Sequence, residues 1–250
     1  MFNLNTFDQC SGGNPAQCEA SVRQLPASLD GGLRLILLGA PGVGKGTQAD
    51  LLRRAIGITQ FSTGDFFRAA IADPLAPHSA ATMAAIRRIS EGCLVPDDMV
   101  IEIVRGEMHR LRNPAGVLLD GFPRTVPQAH ALEEMLSEEQ LQIDGVLNYV
   151  LPTEKVVERL AHRRVCRVCK RSYHLVELPP QEEGHCDHCH GELFQREDDR
   201  PEAVRVRLDL YARNTEPLIG WYHKRNQLIS IDCSGTPQET HLLTLQALHL

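Results

Sequence analysis

A glycine-rich segment near the start of the chain has the residue types that bind phosphate. Residues 39–47 read Gly-Ala-Pro-Gly-Val-Gly-Lys-Gly-Thr, directly after a short apolar run and before a helical pattern. Glycines allow successive backbone N–H groups to turn toward one anion, and the N-terminus of the following helix adds positive potential. Lys45 can then reach the β- and γ-phosphates of a nucleotide. The strand before and the helix after make an incidental glycine-rich turn the poorer explanation.

Four of the eight cysteines form two close pairs, Cys166-x2-Cys169 and, sixteen residues later, Cys186-x2-Cys189. Two such pairs at this spacing indicate one tetrahedral zinc ion held by four thiolates. Because the protein supplies all four ligands, no water position remains open and the site is predicted to be structural. Histidines at 185, 188 and 190 could substitute as ligands, although we favour the four cysteines. The pattern also indicates a reducing compartment rather than an extracellular disulfide scaffold.

Charged side chains near two predicted loops could bind phosphate groups or the magnesium ion that accompanies them. Arg159 and Arg163 precede the first cysteine pair, where a basic run would usually be a solvated helix face. An enzyme that moves phosphoryl groups must, however, neutralise several charges at once. Asp120 ends the apolar run 117–119 and is placed to hold magnesium or its waters. Arg124 lies four residues later, and its guanidinium fork suits bidentate phosphate binding.

Taken in order, these motifs resemble the adenylate kinase family. The phosphate loop ends in Gly-Lys-Gly-Thr, where the general motif has Ser or Thr directly after the lysine. Residues 61–68 read Phe-Ser-Thr-Gly-Asp-Phe-Phe-Arg, residues 120–125 read Asp-Gly-Phe-Pro-Arg-Thr, and residues 91–97 read Glu-Gly-Cys-Leu-Val-Pro-Asp. The resemblance covers about residues 33–240.

The resemblance implies an α/β fold: a P-loop core with a parallel five-stranded sheet, a helical acceptor-binding insertion and a zinc-bearing lid insertion. The core would span 32–250, with the AMP-binding insertion at 62–95 and the lid at 162–199. The implied activity is reversible transfer of the γ-phosphoryl group of ATP to AMP, giving two ADP. Mg²⁺ would accompany ATP. We expect a cytoplasmic monomer that binds neither nucleic acid nor a membrane.

The same resemblance implies a role for each matching residue. The catalytic set is Lys45, Asp120, Arg124, Arg159, Arg196 and Arg207. The ATP-side set is Gly42, Val43, Gly44, Lys45, Gly46, Thr47, Arg159, Arg163, Ser172, Tyr173 and Pro237. The AMP-side set is Thr63, Arg68, Leu94, Val95, Gly121, Phe122, Arg124, Gln128, Arg196 and Arg207, with Gln128 recognising adenine. An acidic pair, Asp198 and Asp199, would mark the lid hinge.

The hydrophobic pattern supplies the elements that must position these groups. Apolar runs predict strands at 33–38, 117–119, 145–150 and 228–232. Helical stretches begin at Lys45 and recur over 64–72, 80–91, 97–111, 127–139, 153–164, 201–213 and 238–249. Strands that alternate with helices indicate a parallel sheet. The stretch 62–95 is predicted to be helical without a clear strand.

Composition excludes several classes of protein. The chain is 42% hydrophobic and 23% charged, as in an ordinary globular protein. A net charge of −6 and an aromatic content of 5% disfavour a general nucleic-acid binder. No apolar run approaches the roughly 20 residues that span a bilayer. Residues 1–31 are acidic and contain several turn-forming residues, which predicts a disordered extension rather than an import or secretory signal.

Two alternatives remain open at this level. A GTP-using or pyrimidine monophosphate kinase would share the phosphate loop, although pyrimidine-using relatives typically have Ala at the position of Thr63 and a short lid. A zinc-ribbon nucleic-acid binder joined to a P-loop ATPase is disfavoured by the acidic balance and the few aromatics. Phosphoryl-transfer assays with AMP, CMP, UMP and GMP would distinguish these activities.

Overall fold

The computed structural model describes residues 32–73, 78–90 and 95–250. The predicted N-terminal extension and Leu94 lie outside these ranges. A parallel five-stranded sheet forms the centre, with strands β1 (Arg34–Leu38), β2 (Thr59–Ser62), β3 (Val117–Asp120), β4 (Gly145–Val150) and β8 (Leu228–Asp232). Their order across the sheet is β2-β3-β1-β4-β8. The predicted α/β class and five-stranded parallel sheet are confirmed.

Both faces of the sheet are covered, as the continuous apolar runs predict. Along β1, Leu35 and Leu37 pack into one hydrophobic cluster and Ile36 and Leu38 into the other. Helices α1 (Lys45–Ile56), α6 (Thr153–His162), α7 (Pro201–Leu210) and α9 (Pro237–Ala247) contribute to the first cluster. Helices α4 (Asp97–Gly106), α5 (Val126–Glu138) and α8 (Pro217–His223) contribute to the second.

Two smaller units project from this core. Helices α2 (Thr63–Ala72) and α3 (Ala80–Ser90) lie between β2 and α4, where Ala81, Ala85 and Ile103 form a small apolar cluster. A second sheet, antiparallel and in the order β6-β5-β7, follows α6. Its strands are β5 (Arg163–Cys166), β6 (Ser172–His174) and β7 (Leu193–Phe194).

Several predicted boundaries were wrong, each for a physical reason. Strand β2 was missed because it lies at the edge of the sheet, so only Phe61 of its four residues is buried and no apolar run appears. The helix predicted over 153–164 ends at His162, where the first lid strand begins. The helix predicted over 97–111 ends at Gly106 and continues as a 3-10 turn, Met108–Arg112.

The chain between α7 and α8 also differs from the prediction. Instead of one helix over 201–213, α7 ends at Leu210 and a π-helical turn, Tyr211–Thr215, follows. Helix α8 was missed; it has Pro217 at its first position, where proline costs no backbone hydrogen bond. Within the described ranges, none of the helices has both the length and the apolarity needed to cross a membrane.

Candidate active site

The glycine-rich segment forms a tight loop between β1 and α1. Gly39, Gly42 and Gly44 have φ angles of 132°, 88° and 106°, which residues with side chains rarely adopt. A Cβ atom on Gly42 would lie 2.7 Å from the Leu160 side chain, so the loop also packs too closely for a larger residue. Gly44 is the N-cap of α1 and offers no side chain to cap it. The N–H groups of the first helical turn therefore remain available to an anion.

The Lys45 ammonium group lies over this loop. Its Nζ donates to the carbonyl oxygens of Gly39 at 2.6 Å and Ala40 at 2.9 Å. Burial lowers the pKa of Lys45 from 10.5 to about 8, and the Asp120 carboxylate partly opposes that shift. Neighbouring cations lower the pKa further; they are Arg124, Arg207 and Arg163. A partly desolvated cleft that gathers four cations around one carboxylate favours a polyanionic ligand.

Asp120 lies beside the phosphate loop because β3 and β1 are neighbours, with Leu37 paired to Asp120 in the parallel register. Its Oδ2 accepts a hydrogen bond from Gln60 Nε2 at 3.1 Å, which orients the carboxylate. Carboxylate and phosphate oxygens are the ligands that Mg²⁺ prefers, usually together with several waters. The donor chemistry at this strand end therefore fits magnesium carried in by a nucleotide.

The loop after β3 joins two side chains of the predicted acceptor site. The Gly121 carbonyl accepts from Thr63 Oγ1 at 2.9 Å and from Arg124 Nε at 2.8 Å. Desolvation in the cleft lowers the pKa of Arg124, while the Asp120 charge raises it. The Phe122 side chain is buried in the core, so only the backbone of this predicted acceptor residue can face a ligand.

Gln128 is buried at the start of α5, and both ends of its amide are hydrogen-bonded. Its Nε2 donates to Asp97 Oδ1 at 2.6 Å, and its Oε1 accepts from the Arg124 backbone N–H at 2.8 Å. Thr125 Oγ1 donates to the other oxygen of Asp97 at 2.7 Å. Val95, two residues before Asp97, packs against the small cluster at α3. The predicted base-recognition residue is thus tied to the point where the chain leaves the α2–α3 unit.

One buried carboxylate pairs with two of the predicted arginines at the base of the lid. Asp199 has no exposed side-chain surface and makes a bidentate contact with Arg163, in which Nε donates at 2.7 Å. Arg207 Nη1 lies 3.2 Å from the same carboxylate and 3.0 Å from Asp198 Oδ2. Burial lowers the pKa of Arg207, while the two acidic residues counteract it. The two arginines are therefore held at fixed positions before any ligand binds.

Arg196 is close to cations from two different parts of the chain. Burial lowers the pKa of Arg196, and the charges of Arg163 and Arg68 lower it further. Arg68, on α2, pairs with Asp65 at 2.6 Å on the exposed side of that helix. The cations of the core, the lid and the α2–α3 unit consequently influence one another across a common cleft.

Arg159 and Pro237 are linked to the segment that follows β8 and to α1, respectively. Arg159 Nη2 donates to the Gly235 carbonyl at 3.3 Å, and its Nε is 3.5 Å from Glu177 Oε2 of the lid. The Pro237 carbonyl accepts from Gln48 Nε2 at 2.9 Å. This contact joins the helix that follows the phosphate loop to the start of α9.

The four paired cysteines come together in the lid. Their Sγ atoms all lie within 4.8 Å of one another, with 3.4 Å between Cys166 and Cys189 and 3.5 Å between Cys169 and Cys186. Tetrahedral Zn–S bonds of about 2.3 Å place sulfurs about 3.8 Å apart. The spacing and the soft donor set therefore fit one zinc ion.

The two cysteine pairs sit in matching turns. The Lys170 N–H donates to the Cys166 carbonyl at 3.2 Å, and the His190 N–H donates to the Cys186 carbonyl at 2.8 Å. Lys170 and His190 each follow the second cysteine of a pair and have φ of 62° and 55°. Two equivalent left-handed positions turn both pairs of thiols toward the same point.

Tyr173 and Ser172 were predicted to line the ATP side, and the structure places them differently from each other. The Tyr173 ring is buried in the lid core, and its hydroxyl lies 3.3 Å from Cys186 Sγ and accepts from the Asp187 N–H at 2.9 Å. Ser172 is exposed on the adjacent strand position. In this arrangement Tyr173 supports the cysteine cluster.

Sequence reasoning missed three polar residues that hold the site, namely Gln48, Gln60 and Asp97. Gln48 is polar but only 2% exposed, because it lies on the buried face of α1 with Ala49 and Leu52. A polar residue at a helix position that periodicity assigns to the core is a usable signal, because buried polar groups are normally hydrogen-bonded. Asp97 and Gln60 carry no such signal, since both occupy positions where an exposed polar residue is ordinary.

This geometry, with a phosphate loop, a strand-end carboxylate and arginines on two insertions, defines a P-loop nucleoside-monophosphate kinase, which is a phosphotransferase. The adenylate kinase family model matches residues 37–227. The adenylate kinase of Archaeoglobus fulgidus is 47% identical over 200 residues, which cover 80% of this chain and 90% of that protein.

Adenylate kinases from two other organisms match over similar lengths. That of Caldicellulosiruptor bescii is 46% identical, covering 79% of this chain and 90% of that protein. That of Carboxydothermus hydrogenoformans is 45% identical, covering 83% of this chain and 95% of that protein. The chain belongs to the adenylate kinase family. It binds ATP, AMP and ADP and interconverts them by phosphoryl transfer, with Mg²⁺ accompanying ATP.

Proposed function

We propose that this chain holds ATP and AMP end to end across the cleft and catalyses transfer by positioning and charge neutralisation. The observation that carries the proposal is the setting of Lys45, whose pKa is lowered to about 8 by burial and by three arginines drawn from separate segments. A folded protein tolerates such crowding when a bound polyanion compensates it. The acceptor phosphate is itself a nucleophile, so no Ser, Cys or His nucleophile is needed.

The donor phosphates would lie on the loop between β1 and α1. Its N–H groups and Lys45 bind them, and Asp120 orients the hydrated Mg²⁺. Magnesium, when bound, supplies neutralisation of the developing phosphate charge. Further donor-side contacts come from the loop, the lid and the start of α9. They are Gly42, Val43, Gly44, Gly46, Thr47, Arg159, Arg163, Ser172 and Pro237, with Tyr173 acting through the lid core.

The acceptor would lie between the loop after β3 and the α2–α3 unit. Arg68 and Arg124 bind its phosphate, and Arg196 and Arg207 reach the transferring group from the lid side. Thr63, Val95 and the Gly121–Phe122 backbone line the pocket, and Gln128 reads adenine. Leu94 keeps its assignment by resemblance alone.

We further propose that residues 62–95 and 162–199 act as two movable covers on the core. In support, the cations that they carry, Arg68 and Arg163, already affect Arg196 in one cleft. Closure would exclude water, which would otherwise hydrolyse ATP.

We assign a structural zinc ion to the four cysteines, because their sulfurs match the size of a tetrahedral thiolate site and leave no ligand position for water. A thiolate site needs reduced cysteines, which supports action in the cytoplasm. We expect a monomer, as the resemblance to the adenylate kinase family implies. Metal analysis and sedimentation of the purified protein test these assignments.

The direct test is a coupled assay that offers ATP or GTP as donor and AMP, GMP, CMP or UMP as acceptor. We expect the highest kcat/KM for ATP with AMP, and formation of two ADP per turnover. A preference for GTP or for a pyrimidine acceptor would overturn the assignment of the base sites, even with all phosphate contacts intact.

A further inference from the structure

The start of α4 and the start of α5 are joined by a closed set of hydrogen bonds. The Asp97 carboxylate accepts from Gln128 Nε2 at 2.6 Å and from Thr125 Oγ1 at 2.7 Å. Thr125 Oγ1 in turn accepts from the Gln128 backbone N–H at 3.3 Å, as the N-cap of α5. Gln128 Oε1 accepts from the Arg124 N–H at 2.8 Å. Gln128 is 4% exposed, so these partners, rather than water, determine its conformation.

These partners allow only one orientation of the Gln128 amide. A carboxylate accepts hydrogen bonds and a backbone N–H donates them. If the amide were turned by 180°, its oxygen would face the Asp97 carboxylate and its NH₂ group would face the Arg124 N–H. Both contacts would then be repulsive, and two partly buried polar groups, the Asp97 carboxylate and the Arg124 N–H, would lose their partners.

The orientation of this amide decides which purine it can read. A carboxamide recognises adenine in one sense only, by accepting from the 6-amino group and donating to an adjacent ring nitrogen. Guanine presents a 6-oxo acceptor at the same position. A turned amide would therefore match a 6-oxo purine and mismatch a 6-amino purine.

We propose that Asp97 is a positioning residue that fixes the Gln128 amide and thereby sets the preference for 6-amino over 6-oxo purine monophosphates at the acceptor site. The inference rests on the proposed role of Gln128 in reading the base. Asp97 also begins α4, directly after the α2–α3 unit, while Arg124 precedes α5. The same contacts therefore tie the exit of that unit to the loop that carries the acceptor-binding arginine.

The test measures kcat/KM for AMP and for GMP, with saturating ATP, in the full-length zinc-loaded protein. Asp97→Ala should lower the AMP-over-GMP ratio about tenfold, as expected for loss of one hydrogen bond to a charged group. The KM for ATP should change less than about twofold. Asp97→Asn keeps an oxygen that can accept from Gln128, so it should retain a ratio within about threefold of the wild type.

Two further variants show whether Asp97 acts through Gln128. Gln128→Leu alone should also lower the ratio, and in that background Asp97→Ala should lower it no further. Asp98→Ala is the matched control, because Asp98 is an exposed acid in the same first turn of α4 and, among the described residues, is not a hydrogen-bond partner of Gln128. It should leave the ratio unchanged. Asp97→Ser, too short to reach Gln128, replaces Asp97→Ala if that variant does not fold.

An unchanged ratio in Asp97→Ala and Asp97→Ser would overturn the proposal. An equal drop in the wild-type and Gln128→Leu backgrounds would also overturn it, because Asp97 would then act by another route. If Gln128→Leu left the ratio unchanged, the base-reading role of Gln128 would fail first, together with the inference. The two failures are thereby distinguishable.

Discussion

The core cleft and the lid are stabilised in different ways. In the core, apolar side chains from the strands and from the helices packed on either side bury both faces of the sheet. In the lid, the buried cluster consists of Cys166, Tyr173, Cys186 and Leu193, with Cys169 and Cys189 packed against it. Burial of this size cannot offset the entropy of ordering nearly forty residues at roughly 1 kcal/mol or more each.

This difference in stabilisation indicates what each region contributes to function. The core is stable enough to hold a costly arrangement, with a partly buried lysine among arginines at the phosphate loop. On our account, the lid supplies movable arginines and depends on metal coordination for its shape. Changes in the core should therefore affect turnover more than stability, and changes in the lid should affect stability more than turnover at low temperature.

The largest expected effect is loss of turnover without loss of stability in Lys45→Met. Removing a charged donor aimed at the transferring group typically costs about 10²- to 10³-fold in kcat. Because burial lowers the pKa of Lys45 from 10.5 to about 8, the folded protein holds this charge at a cost at pH 7, and that cost declines as the pH rises from about 8 to 10.5. At pH 7 the variant should thus melt at the same or a higher temperature, as measured by calorimetry.

Lys224→Met is the matched control, since Lys224 is exposed at the end of α8. It should change neither kcat nor the melting temperature. Near-normal turnover in Lys45→Met would contradict the central role of this lysine.

Zinc removal should lower the stability of the lid more than it lowers turnover, which is the opposite of the effect expected for Lys45→Met. Structural zinc in small domains contributes about 10–16 kcal/mol of apparent binding free energy, which the lid cannot replace by burial. Chelation or Cys186→Ala should lower the melting temperature and open residues 162–199 to proteolysis, with a smaller loss of activity at low temperature. Cys233→Ala removes a buried cysteine elsewhere and should retain one zinc per chain. Unchanged melting of the metal-free protein would argue against a structural zinc site.

Asp199→Asn should lower the stability of the junction between lid and core. It removes the charge that compensates Arg163 and Arg207, and breaking a buried ion pair of this kind costs about 3 kcal/mol. Asp198→Asn is the control, because the Asp198 side chain is 46% exposed and such pairs contribute at most about 1 kcal/mol. Denaturant unfolding measures both. Equal effects at the two positions would show that burial of Asp199 does not matter.

The smallest predicted effect is a pH dependence of ATP binding. The free protein holds Lys45 with its pKa lowered to about 8, and the bound phosphates need the charged form. Below pH 8 the lysine is already protonated; above it, binding must take up a proton. The Kd for ATP should therefore rise about fivefold between pH 8 and 9, and much less than that between pH 6 and 7. Lys45→Arg keeps its charge throughout and should lack this rise in Kd. If both proteins showed the rise, a group other than Lys45 would be its cause.

Much of the fold could be predicted from the sequence because the apolar runs of the central strands and the spacing of the motifs were both strong signals. The strands at 117–119 and 145–150 are largely buried and read as apolar runs, and the edge strand at 228–232 still shows three aliphatic residues, Leu228, Ile229 and Ile231. The phosphate loop and the cysteine pairs have diagnostic spacing. The edge strand β2 and the lid strands could not be predicted, since edge exposure removes the apolar run and metal ligands replace the hydrophobic alternation.

The candidate site also has residues that the sequence reveals and contacts that it does not. Lys45, Asp120 and Arg124 lie on motifs and could be named from the sequence. The contacts of Asp97 with Gln128 and of Asp199 with Arg163 join residues 31 and 36 positions apart. Such pairings depend on how helices and strands pack, and no local pattern records them.

The most direct test of the account is the binding of a bisubstrate ligand, two adenosines joined through a chain of phosphates, measured by calorimetry. One molecule per chain should bind the wild type. Lys45→Met on the proposed donor side and Arg124→Ala on the proposed acceptor side should each weaken binding by about 10²-fold, as loss of a charged hydrogen bond predicts. Wild-type affinity in either variant, or two ligands per chain, would show that the donor and acceptor phosphates do not meet at these cations.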